Sequence, residues 1–466
     1  MRYLRRPDER EQIGVLSRAR ARHGDSRTRK ARKRLLALLA ALAVGVTAPA
    51  AHAYTGRVID AETRQPIPGA LVTLHDKVVL TDADGRFEID GTAATLGFRA
   101  YGYQRSSIAT EHFDKGLQDV YLAPFTPRAL YMSFYGIGDR TLRESALQLI
   151  DKTSLNALVI DVKGDRGMVT YRSEVPLAKE IGAQDIIIYK NMRPLLTSLR
   201  EKGIYTIARI VVFKDTLLAS RYPELAVRDR NGEIWYDREK LAWVDPFRTE
   251  AWDYNIALAA EAARMGFDEI QFDYVRFPDA VGVTFSQENT EQNRVRAITE
   301  FLAQARQALI PYNVFVAADI FGYVPWNASD TSIGQRLEDL MPVVDYLSPM
   351  LYPSGFQFGI PGCRDPVMHP YEVVYRSLKK AQERAGLHPA RLRPWLQAFR
   401  DYAFDRRLFG NGEIRAQIMA AENFGAGGWM LWNPRNVYSA LLEEETSARL
   451  EGETSALLES AAPTDS

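Results

Sequence analysis

The sequence predicts a (β/α)8 barrel preceded by a small all-β sandwich, and two observations carry this prediction. Eight apolar runs of strand length alternate with amphipathic, helix-like stretches between residues 128 and 442. The region before residue 125 contains only short strand-like runs separated by turn residues. Alternation of strands and helices is typical of parallel sheets, and eight repeats match a closed TIM barrel.

The predicted sandwich covers residues 54–124, with strand-like runs at 56–59, 70–74, 78–80 and 86–89. Turn residues separate these runs at 66–69 and 82–85. Asp82, Asp84 and Gly85 could suggest a calcium loop, but the remaining ligands are missing, so a hairpin turn is the better interpretation. The order of runs and turns resembles the carboxypeptidase-regulatory-like β-sandwich domain. That resemblance implies a spacer or binding module, which we expect to fold independently of the barrel.

The barrel prediction covers residues 128–442, after a linker bracketed by Pro124 and Pro127. An open doubly wound sheet would need a glycine-rich phosphate turn after its first strand, and YGIG at 135–138 is too weak a match. The predicted strands are 129–135, 157–162, 204–213, 269–274, 314–320, 344–351, 391–398 and 427–431. The predicted helices are 141–152, 191–202, 250–264, 290–309, 332–341, 371–385 and 414–423, with one more at 438–450.

The two ends of the chain differ from its body. A basic leader with a net charge of +9 over residues 1–34 precedes the 12-residue apolar run LLALLAALAVGV and the motif AHA. This order is typical of a signal peptide cleaved after Ala53, and the run is short for a membrane span. We therefore expect a periplasmic or secreted protein, with an uncleaved membrane anchor as the alternative. The acidic, Ser/Thr-rich tail at 443–466 predicts disorder.

Composition excludes several classes of function. From Tyr54 onwards the chain carries a net charge of −9, which argues against a nucleic-acid partner. Cys363 is the only cysteine, so the chain forms no internal disulfide. None of the six histidines ends a predicted barrel strand, whereas binuclear-metal barrels need several there. We expect neither a metal nor another cofactor.

One stretch, GFDEIQFDYVRFP at 266–278, organises the predicted site. Its period-two alternation predicts a short strand that ends near Asp273. A carboxylate buried there without a partner would be costly, so it needs either an ion pair or a chemical task. In a barrel of parallel strands, chemistry takes place at this end of the strands. A salt bridge to Arg276 is the structural alternative.

The other strand ends bring further polar and aromatic residues to the same mouth. Asp319 ends the fifth strand, where a simple strand-end hydrogen bond is the alternative to catalysis. Asp161 is equally compatible with a structural ion pair to Lys163 or Arg209, and Arg209 could orient Asp273. Flat rings between carboxylates are typical of polysaccharide sites. The predicted substrate-binding residues are Tyr135, Asp161, Lys163, Arg209, Trp243, Arg276, Tyr323, Trp326, Tyr352, Gln397 and Trp432.

Six motifs of the barrel region resemble the putative glycosyl hydrolase domain family. They are LVIDVKGD, ARIVVFKD, WVDP, EIQFDYVRFP, ADIFG and YLSPMLYP. The family is distantly similar to α-amylase and α-galactosidase barrels, in which the nucleophilic aspartate follows the fourth strand. That position corresponds to Asp273. The amylase-type acid is a glutamate after the fifth strand, and Asp319 stands there in this chain, which leaves the acid open.

Together these features predict an exported glycoside hydrolase that cleaves a polysaccharide, for example an envelope or biofilm polymer. Two carboxylates serve such a reaction, one as nucleophile or base and one as acid. Arg209 and Arg276 would favour the ionised form of Asp273, and an apolar wall at Ile320 and Phe321 would favour protonated Asp319. A non-catalytic sugar-binding barrel and an envelope assembly factor are the alternatives.

Overall fold

The computed structural model describes residues 52–113 and 118–441. The predicted signal peptide up to residue 51 and the predicted disordered tail at 443–466 lie outside these residues. Strand β1 begins at His52, so it includes the last two residues before the predicted cleavage site. Across the described ranges, no helix combines the length and apolarity needed to cross a membrane.

The N-terminal module is a sandwich of two small sheets with strand orders β4-β1-β7 and β3-β2-β5-β6. Val58, Val72, Phe87 and Phe98 pack between the sheets. The predicted turn after Asp82 is present, because its Oδ1 accepts from two backbone amides. The sequence did not predict β5, β6 or β7. β5 contains a glycine and β6 is only half buried, which weakens the strand pattern in both. The strands are β1 (His52–Asp60), β2 (Leu71–Leu74), β3 (Lys77–Leu80), β4 (Arg86–Gly91), β5 (Thr95–Arg99), β6 (Ser106–Ala109) and β7 (Gln118–Leu122).

The predicted TIM barrel is confirmed. Eight parallel strands follow one another in chain order, and β15 pairs with β8. Parallel bridges Leu347–Leu392 and Met350–Trp395 join β13 to β14 and complete the circle. The strands are β8 (Arg128–Met132), β9 (Ala157–Lys163), β10 (Tyr205–Val211), β11 (Glu269–Asp273), β12 (Phe315–Ile320), β13 (Tyr346–Pro349), β14 (Trp395–Gln397) and β15 (Trp429–Trp432).

Most of the predicted helices are present within two or three residues of their expected ends. Their apolar faces pack on the outer face of the barrel in one large cluster. The helices are α1 (Arg140–Lys152), α2 (Pro176–Glu180), α3 (Met192–Glu201), α4 (Thr216–Arg221), α5 (Thr249–Met265), α6 (Glu291–Leu309), α7 (Leu337–Leu340), α8 (Pro370–Ala385) and α9 (Asn411–Phe424).

The helix predicted at 332–341 is wrong over most of its length, because only α7 is helical there. Thr331 and Ser332 have φ angles of 54° and 59°, which a right-handed helix cannot contain. The buried Asp330 carboxylate accepts from Arg294 at 2.6 Å and from the Gly334 amide at 2.9 Å. These bonds hold the segment as an ordered loop. Of the helix predicted at 438–450, the described part is a single 3-10 turn at Ser439–Leu441.

The module packs against the barrel end that carries the strand N-termini. Tyr101 contacts Tyr346 and Phe125 contacts Tyr205, with ring centroids 5.9 and 5.3 Å apart. Arg105 donates to Asp268 at 3.0 Å. The module and barrel therefore form one compact unit, and these contacts argue against the expectation of independent folding.

Candidate active site

Arg209 lies at the centre of the cluster of charged side chains inside the barrel mouth. It points inward from β10, level with Asp161 of β9. Its Nη1 donates to Asp161 Oδ1 at 2.6 Å, and its Nε and Nη2 donate to Asp273 Oδ2 at 2.9 and 2.5 Å. All three side chains are buried. Asp161 and Asp273 thus share one guanidinium, whose single positive charge can balance the negative charge of only one carboxylate.

Asp161 has the contacts of an anchoring residue. Besides Arg209, it accepts from the Tyr131 hydroxyl at 2.7 Å and from the Phe134 amide at 3.0 Å, both on Oδ2. Both of its oxygens are therefore occupied within the protein. Of the alternatives left open above, the geometry favours a structural ion pair with Arg209, which fixes the guanidinium.

Asp273 ends β11 and is paired with Arg209, whereas the alternative salt bridge to Arg276 is not formed. Its second oxygen accepts from the Tyr274 amide at 2.6 Å. Tyr274 has a φ angle of 49°, an uncommon conformation for an aromatic residue. Such strain is often found at functional sites. Arg276 instead lies over the Trp243 ring, 4.9 Å from its centroid.

Asp319 ends β12 in a different environment. It is 1% exposed, Trp395 Nε1 donates to its Oδ1 at 2.8 Å, and its Oδ2 has no hydrogen-bond partner. Burial, followed by the nearby negative charge of Asp273, raises the pKa of the Asp319 carboxyl well above its usual value. Its environment therefore favours the protonated form of Asp319, and its Oδ2 is left without a partner.

Gln335 connects the ends of these two strands. Its Nε2 donates to the Asp319 carbonyl at 3.0 Å and to the Val275 carbonyl at 3.3 Å, and its Oε1 accepts from the Phe321 amide at 2.9 Å. The side chain is fully buried. Gln335 thereby fixes the backbone directly after Asp273 and around Asp319.

Aromatic rings surround Arg209 on the opposite side of the cluster. Trp432 stacks on Tyr131 with centroids 3.9 Å apart, and the Arg209 guanidinium lies 4.8 Å from the centroid of Trp432. A cavity of about 220 Å³ opens here, lined by these residues and by Asp161, Tyr135 and others. Its lining does not include Asp273 or Asp319. Rings beside a guanidinium and a carboxylate suit a sugar, which has apolar faces and polar edges.

Two predicted substrate-binding residues have structural partners instead. A register shift between β9 and β10 turns Lys163 to the outside of the barrel, where it is fully buried and bonds to Asp215 at 2.6 Å. Sequence alternation placed it inside because the bulge is invisible in the pattern. Gln397 is also fully buried, and its amide bonds to Ser354 and to the Phe399 carbonyl.

The remaining predicted residues differ in their access to the mouth. Trp243 is buried, and the half-buried Trp326 donates its indole N–H to Ser377 on the outer helix α8. Tyr135 lies at the edge of the cavity and is 59% exposed. Tyr352 lies near both carboxylates. Burial, followed by the nearby charges of Asp319 and Asp273, raises the pKa of the Tyr352 hydroxyl well above its usual value. Tyr323 lies farther out, between the loops that follow β12 and β13.

Three residues of the site are absent from the predicted set: Tyr131, Trp395 and Gln335. Tyr131 was detectable, since it lies on the inward face of β8 as the penultimate residue of the strand. Trp395 begins β14, and only the stagger between strands brings it level with Asp319. Gln335 lies in the segment that was predicted as helical. In the part of the chain that the structure describes, no group of three or more His, Cys, Asp or Glu could hold a metal ion.

Several solved structures are similar to this chain. A hypothetical protein from Ruminiclostridium thermocellum is 39% identical over 41% of this chain and 96% of that one, with a TM-score of 0.37. The PgaB (BpsB) glycoside hydrolase domain from Bordetella bronchiseptica is 16% identical over 67% and 95%, with a TM-score of 0.49. The α-galactosidase TtGalA from Thermus thermophilus is 15% identical over 83% and 79%, with a TM-score of 0.41. No curated protein matches the chain.

The family comparison covers the whole barrel. Residues 129–438 match the family described as the putative glycosyl hydrolase domain. This match spans well over half of the sequence and includes β8 to β15 with every carboxylate of the mouth. The chain therefore belongs to the putative glycosyl hydrolase domain family and is an enzyme of the glycosidase type.

Proposed function

We propose that this protein hydrolyses a polysaccharide with Asp273 and Asp319 as its catalytic carboxylates. The observation that carries the proposal is the contrast between the two groups. Asp273 is bound to the Arg209 guanidinium, whereas Asp319 is buried beside an indole, where burial and then the charge of Asp273 raise the pKa of its carboxyl. Glycoside hydrolysis needs one carboxylate and one carboxylic acid in different environments.

The roles follow from these environments. Asp273, which is ion-paired with Arg209, is the nucleophile or the base. Asp319 is the general acid, and its free Oδ2 carries the proton for the leaving oxygen. Transfer of that proton leaves a buried charge, which the Trp395 N–H and the nearby Arg209 stabilise. Tyr131, Trp432 and Tyr352 would bind the sugar rings beside the two carboxylates.

We further propose that the enzyme acts outside the cytoplasm, on a polymer of the cell envelope or a biofilm. This part rests on the basic leader, the short apolar run and the AHA motif of the sequence. Intact-mass measurement of the protein from a periplasmic fraction would test it. A mature N-terminus at Tyr54 is expected, and a full-length membrane-bound form would contradict cleavage.

The activity itself is tested by incubating purified protein with a panel of bacterial and plant polysaccharides and measuring new reducing ends. The wild type should release products from at least one polymer, and Asp273→Asn should release no product from that polymer. Absence of product from every polymer would count against a hydrolase.

A sugar-binding barrel without catalysis is the second candidate, and one observation favours it. The cavity is lined by Asp161 and Arg209 but not by Asp273 or Asp319, which are 5% and 1% exposed. A binding protein would retain oligosaccharide affinity in Asp273→Asn and form no product in the wild type. Product formation by the wild type decides for the enzyme.

A further inference from the structure

Three aromatic rings form a row on the outer part of the mouth, which we call the aromatic rim: Phe321, Tyr323 and Phe358. Phe321 and Tyr323 follow β12, and Phe358 lies in the loop after β13. Phe358 is 92% exposed and Phe321 is 40% exposed. An exposed phenylalanine forgoes the favourable free energy of burying its ring, so an ordered, exposed row suggests a binding surface.

The backbone around the rim is fixed by hydrogen bonds. The Phe358 amide donates to the Tyr323 hydroxyl at 3.0 Å, and that hydroxyl donates to the Gly359 carbonyl at 3.1 Å. Gly359 has a φ angle of 70°, and its amide bonds to the Phe356 carbonyl at 2.8 Å. The Tyr323 ring rests on the buried Phe356 ring with centroids 4.9 Å apart. The turn thus holds the Phe358 side chain out into solvent.

The rim is continuous with the two carboxylates. Phe321 follows Asp319 by two residues, and its amide is fixed by Gln335. From Phe321 the row continues to Tyr323 at 5.9 Å and on to Phe358 at 6.4 Å between ring centroids. The rings therefore lead outward from the proposed general acid.

The cavity lies on the other side of the mouth. It is lined by the ends of β8, β9, β10 and β15 together with Tyr274 after β11, and the exposed Tyr135 follows β8. In this barrel β8 and β12 are four strands apart out of eight, so they lie on opposite sides. Asp273 ends β11, which lies between the cavity and the rim, and Asp319 ends β12, the strand that the rim residues Phe321 and Tyr323 follow.

We propose that the aromatic rim is a sugar-stacking subsite that holds a neutral polysaccharide on the far side of the carboxylates from the cavity. The chain would cross the mouth from cavity to rim, and cleavage would occur within the polymer. The three rim side chains carry no charge, which suits the apolar faces of neutral sugar rings. This inference rests on the proposed function for its cleavage step, whereas its binding step can be tested without any hydrolysis.

Affinity electrophoresis tests the binding step. Native gels would contain amylose, galactomannan, xylan or glycol chitin, and the protein would carry Asp273→Asn so that no polymer is consumed. At least one polymer should retard this protein. Adding Phe321→Ala and Phe358→Ala should raise the apparent Kd for that polymer about 10-fold, given typical aromatic stacking energies. Leu80→Ala, which removes an exposed apolar side chain from the module, is the matched control and should change nothing.

The outcomes separate the inference from the proposed function. Retardation that is unchanged by the two alanines, or absent with every polymer, overturns the rim as a subsite. Retardation that the alanines abolish, combined with no reducing ends from the wild type, supports the rim and rejects the hydrolase. A protein with Phe358→Tyr in place of Phe358→Ala should regain affinity for the polymer, because tyrosine keeps the aromatic ring. In the wild type, polymer size should fall before monosaccharides appear, and release of monosaccharides alone would contradict internal cleavage.

Discussion

Arg209 binds Asp273 through Nε and Nη2 and Asp161 through Nη1, so a single guanidinium is shared by two buried aspartates. One positive charge cannot neutralise two negative ones, and the pair keeps a net negative charge inside the barrel. A third ionised carboxylate nearby would add repulsion at low effective dielectric. After burial, which is the larger cause, the charge of Asp273 thus helps to raise the pKa of the neighbouring Asp319 carboxyl.

Replacing Arg209 by Gln should destabilise the protein by about 3–5 kcal/mol near neutral pH, because two buried carboxylates lose their partner. Without the arginine, the folded state favours their protonated forms. The lost stability should therefore be partly recovered as the pH falls towards the usual aspartate pKa. Urea unfolding at neutral and acidic pH measures this. Arg276→Gln is the control, and an equal loss at both pH values would contradict the shared-charge account.

Asp273→Asn should lower turnover by several orders of magnitude if this carboxylate is the nucleophile or base. The buried contact with Arg209 also predicts that the variant loses about 1.5–3 kcal/mol of unfolding free energy. Asp161→Asn removes a carboxylate from the same arginine and should cost similar stability with a smaller loss of turnover. Reducing-end assays and unfolding curves decide. Equal losses of turnover in both variants would make Asp273 only a structural partner.

Asp319→Asn should abolish catalysis and change how stability depends on pH. A raised pKa means that the folded state binds a proton that the unfolded state releases, so wild-type stability falls as pH rises from the usual aspartate pKa through the raised value. Asparagine can still accept from Trp395 and cannot ionise. The variant should therefore melt higher than the wild type at neutral and alkaline pH, with a smaller difference in acid. Parallel melting curves across pH would contradict a protonated Asp319.

The pH dependence of activity should follow from the same carboxyl. Because Asp319 acts as the acid, wild-type kcat should fall as the pH rises through its raised pKa. Leu80→Ala should keep the wild-type profile, since Leu80 lies in the module. Reducing-end rates across a pH series measure the profile, and a rate that rises steadily with pH would exclude Asp319 as the acid.

Removing the module should destabilise the barrel. A chain starting at Thr126 lacks Tyr101 and Phe125. These two rings cover Tyr346 and Tyr205 at the barrel end that carries the strand N-termini. We expect it to aggregate or to melt well below the full chain, because buried apolar surface becomes exposed. Tyr101→Ala in the full chain should show a smaller shift in the same direction. A soluble truncated protein with an unchanged melting temperature would restore the view of an independent module.

The sequence was sufficient for the fold class because the relevant patterns are local. Strand and helix periods repeat along the chain, and their number and order determine the barrel. It also placed Asp273 and Asp319 at strand ends, since each closes an apolar run before a loop. The helix predicted at 332–341 failed because the Asp330 carboxylate, together with the left-handed Thr331 and Ser332, overrides the apolar spacing there.

Only the tertiary structure decided which charges meet. Lys163 and Asp161 are two residues apart and share a face in a regular strand, yet a bulge sends Lys163 outward to Asp215 and leaves Asp161 with Arg209. Likewise, Asp273 pairs with Arg209 rather than with Arg276, three residues along the chain, because of the register of β10 and β11. Ion pairs and pKa values depend on distances across strands and on burial. A single sequence records periodicity along the chain, and distances across the barrel arise only when the sheet closes.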